Sequence, residues 1–304
     1  MPAQLPQRAE IIEVGPRDGL QNESSPITTD MRVALCDRLT EAGVTQLEVG
    51  SYVSPKWVPQ MADTAEVMGR IQRKSGVIHS VLAPNMKGFE GALASKADEV
   101  VIFGAASEAF SQRNINCSIA ESIARFEPVA RATKDAGMRL RASVSVALGC
   151  PYQGEVTPAA FAEVVQRFAD LGADMIDLGD TIGVGTPRST QAALAAALRI
   201  VPATRLSGHF HDTWGMAVAN VHASLEMGIT TFHSSVAGLG GCPFAKGATG
   251  NVATEDVLYL LEGLGIETGL DLAQVAATGH WISGLVGRKS ASRVGNALAA
   301  RQAA

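Results

Sequence analysis

The sequence predicts a closed (β/α)8 TIM barrel, and three observations carry that expectation. Short apolar runs alternate eight times with helical stretches, at a spacing of roughly 20–40 residues. No Pro/Ser/Gly-rich linker splits the series. Chemistry-bearing side chains gather just after the strands, the rim where such barrels build their sites. Alternating strands and helices imply a parallel sheet, and eight units point to closure. An open doubly wound sheet is the main alternative. Gly183-Val-Gly185 lacks a third glycine and does not follow the first strand, so no dinucleotide fingerprint is present. The chain is read as one barrel domain, 1–304, with 265–304 as a helical C-terminal extension.

Residues 11–15 read as the first strand, and 29–42 as a helix with Thr28 or Thr29 as N-cap. Strand two spans 46–50 and is followed by a helix over 59–74. Strand three spans 77–82, with a short helix over 88–95. Strand four spans 99–103, and a long helix runs from 118 to 136. Residues 139–148 form strand five, with Leu140, Ala142, Val144, Val146 and Leu148 on one face. Thr157 caps the next helix, with Pro158 at its first position. Strand six spans 174–178, and an Ala-rich helix covers 189–200. Strand seven opens the stretch 206–215, and a helix covers 216–227. Strand eight spans 230–236. A Gly-rich stretch, 238–250, reads as a mobile loop and precedes a helix over 254–264.

Composition narrows the function classes. The chain is 46% hydrophobic and 18% charged with net charge −5, which argues against nucleic-acid binding. No apolar run of about 18 residues exists to span a membrane. The first ten residues have neither the apolar core of a signal peptide nor the Arg content of a transit peptide. Four widely spaced cysteines, Cys36, Cys117, Cys150 and Cys242, read as reduced thiols, so a cytoplasmic location is expected. Cys36 and Cys150 are assigned to packing.

The strand ends hold the candidate site. In strand seven, His209 and His211 are two residues apart, so both point to one side, about 6–7 Å apart at the backbone. After strand one come Arg17, Asp18 and Gln21. Glu48 lies near the end of strand two and Asp180 after strand six, while Cys242 and Asn251 follow strand eight. Asp18, His209, His211 and Asn251 together offer two nitrogen and two oxygen ligands. Such a set suits Mg²⁺ or Mn²⁺, with Co²⁺ and Zn²⁺ as further options. Asp18 or Asn251 could instead cap a loop or helix, and His211 could stand behind the ligands. Arg17 suits an oxyanion or carboxylate, or an ion pair with Glu48 or Asp180. Cys242 is a candidate acid or nucleophile. His79 and His222 read as structural.

Several stretches resemble the 3-hydroxy-3-methylglutaryl-CoA lyase family: 14–23 (VGPRDGLQNE), 54–63 (SPKWVPQMAD), 101–108 (VIFGAASE), 147–152 (ALGCPY), 179–187 (GDTIGVGTP) and 242–255. The resemblance runs from about 11 to 290, in order. It implies a metal-dependent TIM-barrel lyase that cleaves hydroxymethylglutaryl-CoA to acetyl-CoA and acetoacetate by a retro-Claisen reaction. It further implies a homodimer that uses Mg²⁺ or Mn²⁺ and no organic cofactor. Carried over, Asp18, His209, His211 and Asn251 become the metal ligands and Arg17 the enolate stabiliser. Cys242 becomes the mobile-loop proton-transfer residue, and Gln21, Glu48 and Asp180 shape the substrate pocket. Asp18 or His209 takes the hydroxyl proton. Related synthases run the opposite condensation, but they carry Gly-Glu-Arg where this chain has Gly-Gly-Cys-Pro.

The chain departs from the lyase pattern at Ser24 and Ser25, where a basic residue is frequent. It also departs at Trp214, where Tyr is frequent, and at His233, where an acidic residue is usual. These positions are expected to leave the metal ligands untouched and to bear on the acyl group. A lyase for a longer-branched 3-hydroxyglutaryl-CoA is the nearest competitor. A non-haem iron oxygenase, with two His and one carboxylate, and a non-catalytic binding barrel are the readings from other classes.

Overall fold

The computed structural model describes residues 5–23, 25–241 and 250–302. The eight strands are β1 (Glu10–Glu13), β2 (Gln46–Ser51), β3 (Ile78–Leu82), β4 (Glu99–Ala105), β5 (Arg139–Ser145), β6 (Met175–Asp180), β7 (Leu206–Phe210) and β8 (Thr231–Ser234). They close in sequence order, every neighbour parallel, with β8 back on β1. The (β/α)8 barrel expected from the alternation is the fold. Between the strands lie α1 (Thr29–Glu41), α2 (Thr64–Arg70), α3 (Met86–Ala94), α4 (Glu108–Ile115), α5 (Ile119–Asp135), α6 (Pro158–Asp170), α7 (Pro187–Ala197) and α8 (Ala217–Leu225). After β8 come α9 (Thr254–Gly263), α10 (Leu272–Val286) and α11 (Arg293–Gln302). Among the described residues, no helix is long and apolar enough to cross a membrane.

Local chemistry sets these bounds. Thr28 and Thr157 cap α1 and α6 through their hydroxyls, and Ser118 with Glu121 forms a capping box on α5. The single helix expected over 59–74 is instead a 3₁₀ turn (Pro59–Met61) followed by α2. The Thr64 hydroxyl donates to Met61 O and accepts from Ser51 N–H, which breaks the run. Strand five stops at Ser145 and does not reach 148. Val146 turns left-handed (φ 53°) and gives its N–H to Thr181 Oγ1. Helix α4 was not anticipated; Ser107 caps it and left-handed Asn116 ends it.

The strands have two unlike faces. Leu140, Ala142 and Val144 on β5 are buried with the apolar helix faces in the main core. The opposite face turns Arg141 into the barrel interior. Its guanidinium meets Glu99 (2.9 Å), Asp177 (3.0 Å) and Glu48 (2.6 Å), from β4, β6 and β2. All four side chains are 2% exposed or less. Burial alone would lower the Arg141 pKa, but the three carboxylates hold it well above its ordinary value. Buried charges of this kind persist only because each is paired and hydrogen-bonded.

A second buried polar cluster follows β8. Glu13 accepts from Gly15 N–H, Val236 N–H and the Thr254 hydroxyl. Glu255 accepts the Ala237 N–H on both oxygens (3.0 Å each). Desolvation pushes Glu13 up to about 7 and Glu255 up to about 8, outweighing the hydrogen bonds that favour their charged forms.

Replacing Arg141 with Met should cost about 3–5 kcal/mol of folding stability by removing the guanidinium that three buried carboxylates share. Urea unfolding midpoints would read this loss, and a variant within 1 kcal/mol of wild type, on the order of the effect of an exposed substitution, would disprove the account. Glu255 predicts a pH effect. Its carboxyl is protonated in the folded chain up to about pH 8 and ionises near 4.5 when unfolded. Its stabilisation is therefore complete at acid pH and declines as pH rises from about 5 to 8. Glu255→Gln should gain on wild type across that window in thermal melts, whereas parallel curves would contradict the assignment.

Candidate functional site

The first strand ends in a π-helical turn, Gly15–Gly19, in which Gly19 N–H donates to Val14 O. A Cβ on Gly19 would lie 2.8 Å from Leu239 Cβ and from Ser235 Oγ, so only glycine lets the turn sit this close to the segment after β8. The turn presents Arg17 and Asp18 side by side at the barrel mouth, joined at 2.7 Å. Arg17 Nε also bonds Glu48, whose other oxygen holds Arg141. Among the described residues, Arg17 Nη2 has no partner. Of the two ion pairs expected for Arg17, the one with Glu48 forms. The one with Asp180 does not, because Asp180 accepts from Val184 N–H (3.1 Å) and Gly185 N–H (2.9 Å) and stays buried. Desolvation pushes Asp180 up to about 6. Gln21 follows the turn and is half-buried.

Across the mouth, β7 brings His209 and its neighbour His211 to face Asp18. Their Nε2 atoms are 3.3 Å apart, and each lies 4.0 Å from Asp18 Oδ2. The three side chains form a group able to hold a metal ion. Donors about 2.1 Å from one ion can be at most about 4.2 Å apart, and these separations respect that limit. Protonation fits too. Burial pushes His209 down to about 3, helped by His233, and pushes His211 down. Burial opposes ionisation of Asp18, but Arg17, His209 and His211 overcome it and hold the carboxyl well below its usual range. The set is thus one carboxylate and two neutral imidazoles, the forms that bind metal. His211 Nδ1 is buried near the Thr181 carbonyl without a well-formed hydrogen bond.

Asn251 is brought in by backbone pairing. His211 and Asn251 form an antiparallel bridge, flanked by Asp212 N–H to Gly250 O (2.9 Å) and Val252 N–H to Phe210 O (3.0 Å). Gly250 has φ 85°, and a Cβ there would lie 2.5 Å from the Gly240 carbonyl carbon. Asn251 does not cap α9, whose N-cap is Ala253. Its Nδ2 donates to Asp18 Oδ2 (2.8 Å) and Leu239 O (3.2 Å). The amide nitrogen, not the oxygen, faces Asp18. Cys242 lies outside the described residues, as do residues 242–249 of the stretch 238–250 expected to be mobile and the departure position Ser24.

His233 corrects one expectation. It does touch the ligand group: its Nδ1 is 3.2 Å from His209 Nδ1. Sequence reading also missed Asp177 and Arg141 behind it. The signal was the polar alternation Arg139, Arg141, Ser143, Ser145 opposite the apolar face of β5. His79 is buried against Asp98, and Cys36, Cys117 and Cys150 are buried free thiols.

The HMGL-like family model matches residues 8–282. A relative from Pseudomonas aeruginosa, 3-hydroxy-3-isohexenylglutaryl-CoA/hydroxy-methylglutaryl-CoA lyase, is 54% identical over 98% of this chain and 99% of its own. The human mitochondrial hydroxymethylglutaryl-CoA lyase is 52% identical over 96% of this chain and 90% of its own. The crystal structure of hydroxymethylglutaryl-CoA lyase from Pseudomonas aeruginosa superposes with a TM-score of 0.96 at 54% identity, over 98% and 99% of the two chains. On this near full-length similarity, the chain belongs to the HMGL-like family.

Proposed function

We propose that this chain is a divalent-metal-dependent carbon–carbon lyase that cleaves 3-hydroxy-3-methylglutaryl-CoA to acetyl-CoA and acetoacetate. The observation that carries the reading is the facing of Asp18, His209 and His211 beside Arg17 at the barrel mouth. The names of the two relatives support the acyl-CoA substrate. Asp18, His209 and His211 would hold the ion, Mg²⁺ or Mn²⁺, and Asn251 would join them after its amide turns to present oxygen. A bound cation would polarise the tertiary hydroxyl and the forming ketone as a Lewis acid.

The chain's own residues account for the rest of the chemistry. Asp18, held ionised by Arg17 beside it, is the basic group available for the hydroxyl proton. His209, the other candidate, would have one ring nitrogen on the ion and the other against His233. As the C–O⁻ collapses to the acetoacetate ketone, the carbon–carbon bond breaks and its electron pair passes to the thioester as an enolate. Arg17 is the fixed cation placed to receive that charge, and Glu48 holds it in place. A preorganised donor of this kind contributes about 3–4 kcal/mol. Cys242 is the proposed proton donor to the enolate carbon. Gln21 and Asp180 would shape the pocket, Asp180 through the loop it organises. A homodimer belongs to this reading, and the buried free thiols support a reducing compartment such as the cytoplasm.

Purified protein with Mg²⁺ or Mn²⁺ should release acetyl-CoA and acetoacetate from 3-hydroxy-3-methylglutaryl-CoA. A panel including the isohexenyl-branched analogue tests the acyl group, and no product from any member sinks the proposal. His209→Ala should abolish turnover and weaken Mn²⁺ binding in titrations followed by electron paramagnetic resonance. Full activity in that variant would remove His209 from the ligand set.

A further inference from the structure

The barrel register sets a second histidine beside His209. In the parallel pairing of β7 with β8, His209 lies opposite His233, and in that of β6 with β7, Asp177 lies opposite Ser207. All of these side chains point into the barrel. His233 Nδ1 is 3.2 Å from His209 Nδ1. His233 Nε2 is 3.4 Å from Asp177 Oδ1 and 3.3 Å from Ser207 Oγ. The Ser207 hydroxyl donates to Asp177 Oδ1 (2.7 Å), and Arg141 Nη1 donates to Asp177 Oδ2 (3.0 Å).

Donor counting resolves the protons. An ionised carboxylate only accepts, so the ring nitrogen facing Asp177 carries a hydrogen, which makes His233 Nε2 the donor. Arg141 Nη1 lies 3.3 Å from His233 Nδ1 and 3.4 Å from Nε2, so it favours neither nitrogen. Two ring nitrogens 3.2 Å apart form a hydrogen bond only if one of them donates. His209 Nε2 faces Asp18 and His211 and must keep its lone pair to bind an ion. The hydrogen of the His209 ring then sits on Nδ1, aimed at His233 Nδ1.

We propose that Asp177 and His233 form a positioning relay behind His209, fixing its Nδ1–H tautomer and the aim of its Nε2 lone pair. Metal-ligating histidines commonly give their second N–H directly to a carboxylate or carbonyl. Here a histidine stands between ligand and carboxylate. The inference rests on the reading of His209 as a metal ligand, and its functional consequence is metal affinity.

Long-range ¹H–¹⁵N NMR on metal-free protein with ¹⁵N-labelled histidine tests the relay, with His209→Ala assigning the ring. Wild type should show His209 protonated at Nδ1, and protonation at Nε2 overturns the relay whatever the variants do. In His233→Phe the tautomer preference should be lost, and the Mn²⁺ dissociation constant should rise about 10–100-fold. His233→Gln, whose amide oxygen can still accept from Nδ1–H, should recover most of that affinity. A folded His233→Phe with unchanged tautomer and with affinity within about twofold of wild type, well short of the expected change, overturns the proposal. If His209→Ala itself leaves Mn²⁺ binding unchanged, the metal-ligand reading fails and the relay's consequence for affinity fails with it. The tautomer result alone still decides the geometry.

Discussion

A buried guanidinium needs counter-charge from every side, and Arg141 sets that demand at the centre of this barrel. Three strands answer it with Glu48, Glu99 and Asp177. None of the four can be removed singly without stranding a charge in a low-dielectric interior. The ring of charge therefore acts as one unit that ties β2, β4, β5 and β6 together. Its two upward branches reach the mouth. Glu48 passes the constraint to Arg17, and Asp177 lies against His233, the neighbour of His209. Groups separated by many residues in sequence are thus held by a single electrostatic frame.

The mouth adds a second device, the close turn after β1. The π-helical geometry places adjacent residues, Arg17 and Asp18, on the same side of the opening. A cation next to an anion suppresses proton uptake by the carboxylate, and burial suppresses proton uptake by the imidazoles opposite. The two influences act in opposite directions on charge. Together they yield an ionised oxygen donor facing neutral nitrogen donors.

Much of this was legible in the sequence, for identifiable reasons. Helix and strand periods, N-caps such as Thr157, and the His209-Phe-His211 spacing are local signals, and the barrel rim converts them into a shared location. Arg17, Asp18 and Asn251 were found because they follow strand ends. What escaped depends on contacts across the barrel. The alternation Arg139, Arg141, Ser143, Ser145 marks a polar face on β5, but only barrel closure turns that face inward, since an Arg on a strand usually faces water. His233 looked like a peripheral departure because its strand partner is set by register, not by sequence distance. The orientation of the Asn251 amide follows from two acceptors, Asp18 and Leu239 O, that only the folded chain brings together.

Gly250 lies so close to Gly240 that no Cβ fits between them. The chain leaves the site at one glycine and returns at the other, with the two backbones in contact. Asn251 is then locked by its pairing with His211, independently of what lies between. Any side chain larger than hydrogen at position 250 would push the two backbones apart and draw the Asn251 amide away from Asp18, so the placing of a polar group at the mouth depends on an atom that is not there.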